Sequence, residues 1–344
     1  MKNAIGDMTG VKALGLLSGG LDSILATEMI LKQGIEVTAF NVRSPFCLCK
    51  KDGCAAVDAA KQLNVPLKTV AAGNDYLRML RKPKHGYGRN MNPCIDCRIF
   101  LMKKAKKYAK EMGAAFIFTG EVLDERPMSQ HYQTMKLIEK EAGLNGKVLR
   151  PLSARLLPET DVEKKGLVNR SMLMDIQGRS RKPQFKLAGE FGIKDYPCPA
   201  GGCLLTYEEY AKKIRDLFTY KKIVSMADIA LLRVGRHFRS RKNKIVVGRN
   251  EAENKFLTAR KTWSEYYFEL PEIVGPITIL QGPKTKKAIE TAAKLTAYYS
   301  DAKGGKVKVN FGREALNKSL TVSIPDKAEV EKLRVSNANR LNPS

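Results

Sequence analysis

Ser18-Gly19-Gly20-Leu21-Asp22-Ser23 stands between an apolar run, Val11 to Leu17, and a segment of helical spacing, Ile24 to Lys32, that stops at Gly34. The run reads as a buried parallel strand and the segment as a helix. The hexapeptide therefore occupies a strand-to-helix turn. Adjacent glycines let the backbone come close to a ligand and turn its N–H groups inward, two serines add hydroxyls, and a helix N-terminus favours an anion. These are the parts of a pyrophosphate cradle. No Gly-x-x-x-x-Gly-Lys-Ser/Thr string occurs, so the commonest nucleotide loop is not the explanation. Asp22 has two readings, a hard oxygen ligand for Mg²⁺ or a helix-start residue favoured by the dipole.

Working outward, Glu36 to Val42 reads as a second strand, Cys54 to Leu63 as a helix and Val65 to Val70 as a third strand. Arg98 to Met112 is helix-compatible, Ala115 to Gly120 gives a fourth strand, and Lys147 to Leu152 a fifth with a Pro stop. Alternating strands and helices predict an α/β, Rossmann-like parallel sheet with helices on both faces, whose ligands bind beyond the carboxyl ends of the strands. Ser18 to Ser23, Asn41 to Cys54 and Thr119 to Gln130 lie at those ends. A helix from Tyr207 to Phe218 is expected to close this domain.

From about Met226 the pattern changes to short β-rich runs broken by Gly, Asn and Pro. Ile229 to Val234, Lys244 to Gly248 and Ile277 to Leu280 read as strands, and Glu251 to Arg260 as a helix capped by Asn250. Trp263 and Tyr266-Tyr267-Phe268 read as core of this part. The expected organisation is residues 1–221, an α/β domain; 222–330, a small α+β domain; and 331–344, a tail.

The 344 residues carry 61 Lys+Arg against 35 Asp+Glu, a formal charge of +26. That excess points to a polyanionic partner, nucleic acid before membrane. No long apolar span, lipidation signal or signal peptide stands out, so no membrane partner and a cytoplasmic location are expected. Seven cysteines in such a chain do not suggest a disulfide scaffold. They are grouped: Cys47, Cys49 and Cys54; Cys94 and Cys97; Cys198 and Cys203. Cys94-Ile95-Asp96-Cys97 opens a helix, where thiolates are stabilised. A redox pair, a structural zinc on Cys94, Cys97, Cys198 and Cys203, and an iron–sulfur cluster on three of them with a persulfide on the fourth all fit thiolate chemistry.

The hexapeptide resembles the PP-loop of the ATP pyrophosphatases, which split ATP between its α and β phosphates and adenylate a substrate oxygen. Together with Asn92-Pro93-Cys94-x-x-Cys97 and Thr119-Gly120-Glu121, residues 11 to 206 resemble the catalytic domain of the tRNA 4-thiouridine synthases and 2-thiouridylases. The THUMP domain of the synthases and a sulfur-carrying rhodanese domain have no counterpart in these residues. The resemblance implies ATP and Mg²⁺ held by Ser18, Gly19, Gly20, Asp22 and Ser23, and adenosine near Phe40, Asn41, Thr119 and Gly120. A Lys or Arg from Arg179 to Lys186 would neutralise phosphate charge. It favours a [4Fe–4S] cluster on Cys94, Cys97 and one of Cys198 or Cys203, and makes Asp22, Cys94, Cys97 and Cys203 catalytic. Zinc, or no metal, are the other options. The sulfur would come from a separate donor such as a cysteine desulfurase or free sulfide.

Gly235-Arg236-His237-Phe238-Arg239 with Lys244 to Asn254 resembles the NFACT RNA-binding domain, over roughly Met226 to Pro325. This implies phosphate contacts from Arg236, His237, Arg239 and Arg249, with Phe238 stacking on a base. The function so implied is tRNA uridine thiolation, at position 4 before position 2. A non-catalytic tRNA-binding adaptor is the alternative.

Overall fold

The computed structural model describes residues 10–48, 54–196, 202–260 and 262–335. The chain folds as two compact units that divide between Thr206 and Tyr207. In the first, elements run β1 (Lys12–Leu16), α1 (Leu21–Leu31), β2 (Glu36–Arg43), α2 (Ala55–Gln62), β3 (Leu67–Ala71) and α3 (Asn74–Arg81). They continue as α4 (Cys94–Met112), β4 (Phe116–Thr119), α5 (Tyr132–Ala142), β5 (Val148–Leu149), α6 (Asp161–Lys164) and α7 (Lys182–Glu190).

The five strands form one sheet in the order β3-β2-β1-β4-β5, parallel throughout. Side-chain alternation along the strands feeds both faces. Ala13, Val37, Ala39 and Phe118 pack with α1, α2 and α7 on one side, and Leu14, Phe40 and Ile117 with α4 and α5 on the other. Buried on both faces, the strands read as apolar runs, which makes them legible in the sequence. The order reverses at β1/β4, the switch point at which doubly wound sheets bind ligands. The turn after β1 and the turn after β4 meet there. Gly15 permits the closeness of those two strands, since a Cβ on it would sit 2.4 Å from the Phe118 ring.

The second unit runs α8 (Glu208–Tyr220), α9 (Met226–Leu231), β6 (Arg236–Ser240), β7 (Asn243–Val247), α10 (Glu251–Ala259) and β8 (Tyr266–Glu269). β9 (Thr278–Gln281), α11 (Lys286–Tyr298), β10 (Lys306–Gly312), β11 (Lys318–Ser323) and α12 (Lys327–Leu333) complete it. Its sheet, order β11-β10-β8-β9-β7-β6, is antiparallel. Phe238, Ile245, Val247, Phe268 and Leu280 pack under α11, while Val246 and Ile279 turn to Leu231 and Leu257 on the other face. Asn250 caps α10 as expected, accepting from the Glu253 N–H at 3.0 Å.

Three expectations are corrected by the fold. Ile229 to Val234 is not a strand: residues 226–231 are α9, started by a capping box in which the Ser225 and Asp228 side chains each meet the other's backbone N–H. The helix at 208–220, expected in the first domain, belongs to the second unit, where Asp216 takes a bidentate bond from Arg239 (2.7 Å to each oxygen) and another from Lys244 at 2.6 Å. Tyr267 and Phe268 are core, but Trp263 is 77% exposed.

Candidate nucleotide and thiol site

The turn after β1 is braced from inside. Gly19 sits at φ +83° and a Cβ there would lie 2.2 Å from the Ala55 backbone, so the position excludes side chains twice over. Ser23 Oγ donates to the Gly20 carbonyl at 2.8 Å and accepts from the Ser18 N–H at 3.3 Å, closing the turn on itself. Asn41 Nδ2 donates to the Leu17 carbonyl at 2.8 Å and pins the turn to β2. The start of α1 carries no side-chain cap, which leaves the dipole end open to an anion.

The turn after β4 comes in beside it. A Cβ on Gly120 would lie 2.5 Å from the Asp22 carbonyl and from the Ser23 nitrogen. The segments singled out in the sequence, Ser18 to Ser23 with Asn41, Thr119 and Gly120, therefore share one end of the sheet. Phe40 is a correction. Its ring is buried and stacks on Tyr108 at 5.3 Å, so only its backbone faces this end, where its carbonyl accepts from the Leu17 N–H.

Asp22 and Arg181 are each 16% exposed and meet at 3.1 Å; the same guanidinium reaches Glu125 at 3.0 Å. Burial raises Asp22 above the usual carboxylate range despite Arg181 and Arg126, and burial followed by the Asp22 charge raises Glu125. Two carboxylates thus share one cation, and Glu125 Oε2 is buried with no partner among the described residues. Arg181 comes from the basic segment expected to serve phosphate. Glu125 escapes a reading of the sequence, because nothing in its own neighbourhood distinguishes it.

Glu121, next in the turn, is buried between two cations. Its Oε2 accepts from Arg150 Nε at 3.1 Å and from Thr119 Oγ1 at 3.2 Å, while Arg98 lies 3.6 Å from Oε1. Burial pushes this carboxyl up, but Arg150 and Arg98 together hold it below its ordinary range. Arg150, 4% exposed, also binds Glu139. Arg150→Met would leave two buried carboxylates short of their cation, and a loss of about 3–5 kcal/mol is expected in urea unfolding. A loss under about 1 kcal/mol would mean that water already reaches this network.

Cys94 and Cys97 open α4. Tyr76 Oη donates to Cys97 Sγ at 3.3 Å, and Arg98 is the cation whose charge acts most on both thiols. Cys203 comes from 109 residues later than Cys94 and pairs antiparallel with Cys47 in an isolated bridge, with the Leu204 N–H donating to the Phe46 carbonyl at 2.9 Å. Asn90 and Met91 hold the same segment, through the Thr206 and Leu205 carbonyls. Three loops therefore bring Cys47 and Cys203 to the start of α4. Burial raises all three of Cys94, Cys97 and Cys203, the last to about 12, and the Cys203 thiol feels the charges of Cys97, Cys94 and Cys47. Cys198 and Cys49 lie outside the described residues. Among the described residues, no three His, Cys, Asp or Glu groups stand close enough to hold a metal ion. In kind, the donor set is soft: half-buried thiols, with the Asp96 carboxylate turned to the Lys84 and His85 N–H groups, which suits an iron–sulfur group or zinc and not Mg²⁺.

In the second unit the basic residues assigned to RNA are largely committed. His237 is 2% exposed, its Nε2 2.8 Å from the Val234 carbonyl, and burial holds the ring well below its usual range. A buried neutral imidazole makes no phosphate contact, so that assignment is corrected. Phe238 is fully buried and cannot stack on a base. Arg239 is tied to Asp216, Arg249 to Glu253 at 2.9 Å, and Arg236 lies 4.4 Å over Tyr299 and donates to the Gly248 carbonyl at 3.0 Å.

These features define a PP-loop-type α/β domain followed by a separate β-rich domain. Residues 8–156 match the family model described as thiamine biosynthesis protein (ThiI), and residues 235–334 that of the NFACT protein RNA binding domain. The two matches fall one on each compact unit. A "Probable tRNA sulfurtransferase" of Thermococcus kodakarensis is 26% identical over 150 residues, 41% of this chain and 36% of that protein. The tRNA-specific 2-thiouridylase MnmA of Ruthia magnifica is 34% identical over 122 residues, 30% of this chain and 32% of that one. The chain thus spans about a third of the length of these curated relatives. Among solved structures, a 4-thiouridine synthetase–RNA complex with bound ATP aligns over 54% of this chain and 52% of its own, at 22% identity and TM-score 0.34. Among the described residues no helix is long and apolar enough to cross a membrane.

Proposed function

We propose that this protein is an ATP-dependent tRNA sulfurtransferase that converts a uridine to 4-thiouridine. The observation that carries the reading is the meeting of the glycine-locked turn at 18–23 with the turn at 119–121, in a unit that also gathers Cys94, Cys97, Cys203 and Cys47 at the start of α4. Oxygen leaves a uridine carbonyl poorly. The carbonyl oxygen therefore attacks the α-phosphorus of ATP, an O–P bond forms, and the bond to the β-phosphate oxygen breaks to release pyrophosphate. A sulfide-level sulfur then attacks the ring carbon, and the carbon–oxygen bond breaks to release AMP. No net oxidation or reduction occurs in this pair of steps.

Ser18, Gly19, Gly20 and Ser23 hold the leaving pyrophosphate, with Arg181 neutralising its charge. Asp22 and Glu125, hard oxygen donors beside the turn, would hold Mg²⁺. Asn41, Thr119 and Gly120 border the adenosine. Cys94, Cys97 and Cys203, with Cys198 as an alternative third ligand, would hold an iron–sulfur cluster. Bound there, it would supply a Lewis-acidic iron that takes a soft sulfur ligand. The protein's own task at these thiols is to exclude water and present them together, and the sulfur donor is a separate protein or free sulfide. A cytoplasmic setting belongs to this reading, because a thiol-dependent reaction needs its cysteines kept reduced.

Nucleosides from the tRNA of a deletion strain are expected to lack 4-thiouridine on mass spectrometry, with restoration by the intact gene and none by Asp22→Ala. Restoration by Asp22→Ala would favour the non-catalytic adaptor. Loss of 2-thiouridine instead would move the reaction to the other carbonyl.

A further inference from the structure

The antiparallel register of the second unit gathers basic connections at one end of its sheet. β6 ends at Ser240 opposite Asn243, β9 ends beside the start of β8 (Leu280 opposite Tyr266), and β10 ends beside the start of β11 (Phe311 opposite Lys318). The hairpin Arg241-Lys242, the turn around Lys284 and the hairpin 313–318 therefore all emerge at this end. Tyr266 stands in the middle: Lys284 and Arg313 lie 5.6 Å from its ring centroid and Lys318 lies 5.9 Å away. Lys284 is partly committed, donating to the Leu280 and Gly282 carbonyls at 2.8 Å with the Glu265 charge acting on it, so Arg313 and Lys318 are the cations that repel each other here unless an anion joins them.

Local chemistry points the same way. α11 begins at this end with Lys286 and Lys287 and has no acidic residue in its first turn, although cations are unfavourable at a helix N-terminus. Neither Arg313 nor Lys318 forms an ion pair among the described residues, whereas Arg239 and Arg249 are held by Asp216 and Glu253. The connections 241–242, 282–287 and 313–318 contain a single acidic residue, Glu314, and buried Glu265 before β8 takes a bond from Gln281 and offsets charge at Lys284 alone among the three. Trp263, the chain's one tryptophan, is 77% exposed three residues before Tyr266.

We propose that this end of the second sheet, centred on Tyr266 with Lys284, Arg313 and Lys318, is the surface that grips the sugar-phosphate backbone of the substrate RNA, with Trp263 at its border. The proposal rests on the tRNA reading above and replaces the β6–β7 face as the RNA contact. Phosphates would neutralise the crowded cations, and the partly buried Tyr266 ring would keep those cations spaced. Affinity from such contacts is steeply salt-dependent and insensitive to base sequence.

The test is binding of an unmodified tRNA transcript to the full chain across a potassium chloride series. R313Q/K318Q is expected to weaken binding roughly tenfold at low salt and to reduce the salt slope by about two. K303Q/K306Q, at or beyond the opposite end of β10, is expected to match wild type. Acrylamide quenching of Trp263 fluorescence is expected to fall when tRNA saturates the protein. Wild-type binding with no loss in R313Q/K318Q, or equal loss in both double variants, would overturn this surface and leave the tRNA reading standing. Failure of the wild type to bind any tRNA would instead sink the tRNA reading. Tighter binding to phosphatidylglycerol vesicles than to tRNA would assign the surface to a membrane and overturn the proposal.

Discussion

On the proposed reading, Gly120→Ala is expected to slow ATP-driven pyrophosphate release about a hundredfold while leaving the fold intact. The added methyl would fall 2.5 Å from the Asp22 carbonyl carbon and oxygen and from the Ser23 nitrogen, all of them backbone atoms that no rotamer change can move. Relief has to come from separation of the β4 turn from the start of α1, which moves Asp22 and Ser23 relative to everything else that holds the phosphates. A displacement of about 1 Å at a reacting centre costs on the order of 10²-fold in rate. Stability should suffer less, because the strain is confined to the rim of the sheet and the core under β1 and β4 is untouched. Gly34→Ala separates the two effects. Gly34 has φ +75° but open space around its Cβ position, so about 1 kcal/mol of stability should be lost with activity unchanged. Pyrophosphate release measured with tRNA present, beside urea midpoints for both variants, checks the pair. An active Gly120→Ala enzyme would mean that the two turns do not share one nucleotide.

Legibility followed the range of the interactions. The turn at 18–23 was readable because backbone approach, hydroxyls and a helix start are encoded within six residues, and the sheet because strands covered on both faces are apolar throughout. Ile229 to Val234 misled because a short apolar run has no decisive period; the signal that settles it, Ser225-x-x-Asp228, lies just upstream. Charge was the least legible property. Arg239 looks as free in sequence as Arg313, and only the fold brings Asp216 to the first and leaves the second among cations. Likewise Glu125 acquires meaning from Arg181, and Cys47 from Cys203, through contacts that span 56 and 156 residues. Such pairings are set by topology, and no local pattern announces them.

Cys203→Ser is expected to eliminate thiolation while tRNA-dependent pyrophosphate release persists, because the thiols and the phosphate cradle come from different segments. The native thiol is also expected to be a poor nucleophile until something removes its proton. Burial holds it near 12, and neighbouring Cys97, Cys94 and Cys47 disfavour further negative charge. Its alkylation by iodoacetamide in the metal-free protein should therefore rise about tenfold per pH unit from neutrality to about pH 11, well past the point where ordinary thiols level off. Linkage gives the matching sign in stability. A thiol whose folded pKa is raised contributes fully below the ordinary thiol range, near 9, and its contribution disappears as pH climbs toward about 12. Urea midpoints should accordingly fall more steeply above pH 9 for wild type than for Cys203→Ser. An alkylation rate already flat by about pH 9 would show an exposed, ordinary thiol, and the pocket would then lack the dry surroundings that sulfur transfer requires. Loss of pyrophosphate release in Cys203→Ser would instead place this cysteine in the activation step. On the proposed sulfurtransferase reading, the two halves of the chemistry are expected to separate by one side chain at each: a methyl at Gly120 for activation, and an oxygen for sulfur at Cys203 for transfer.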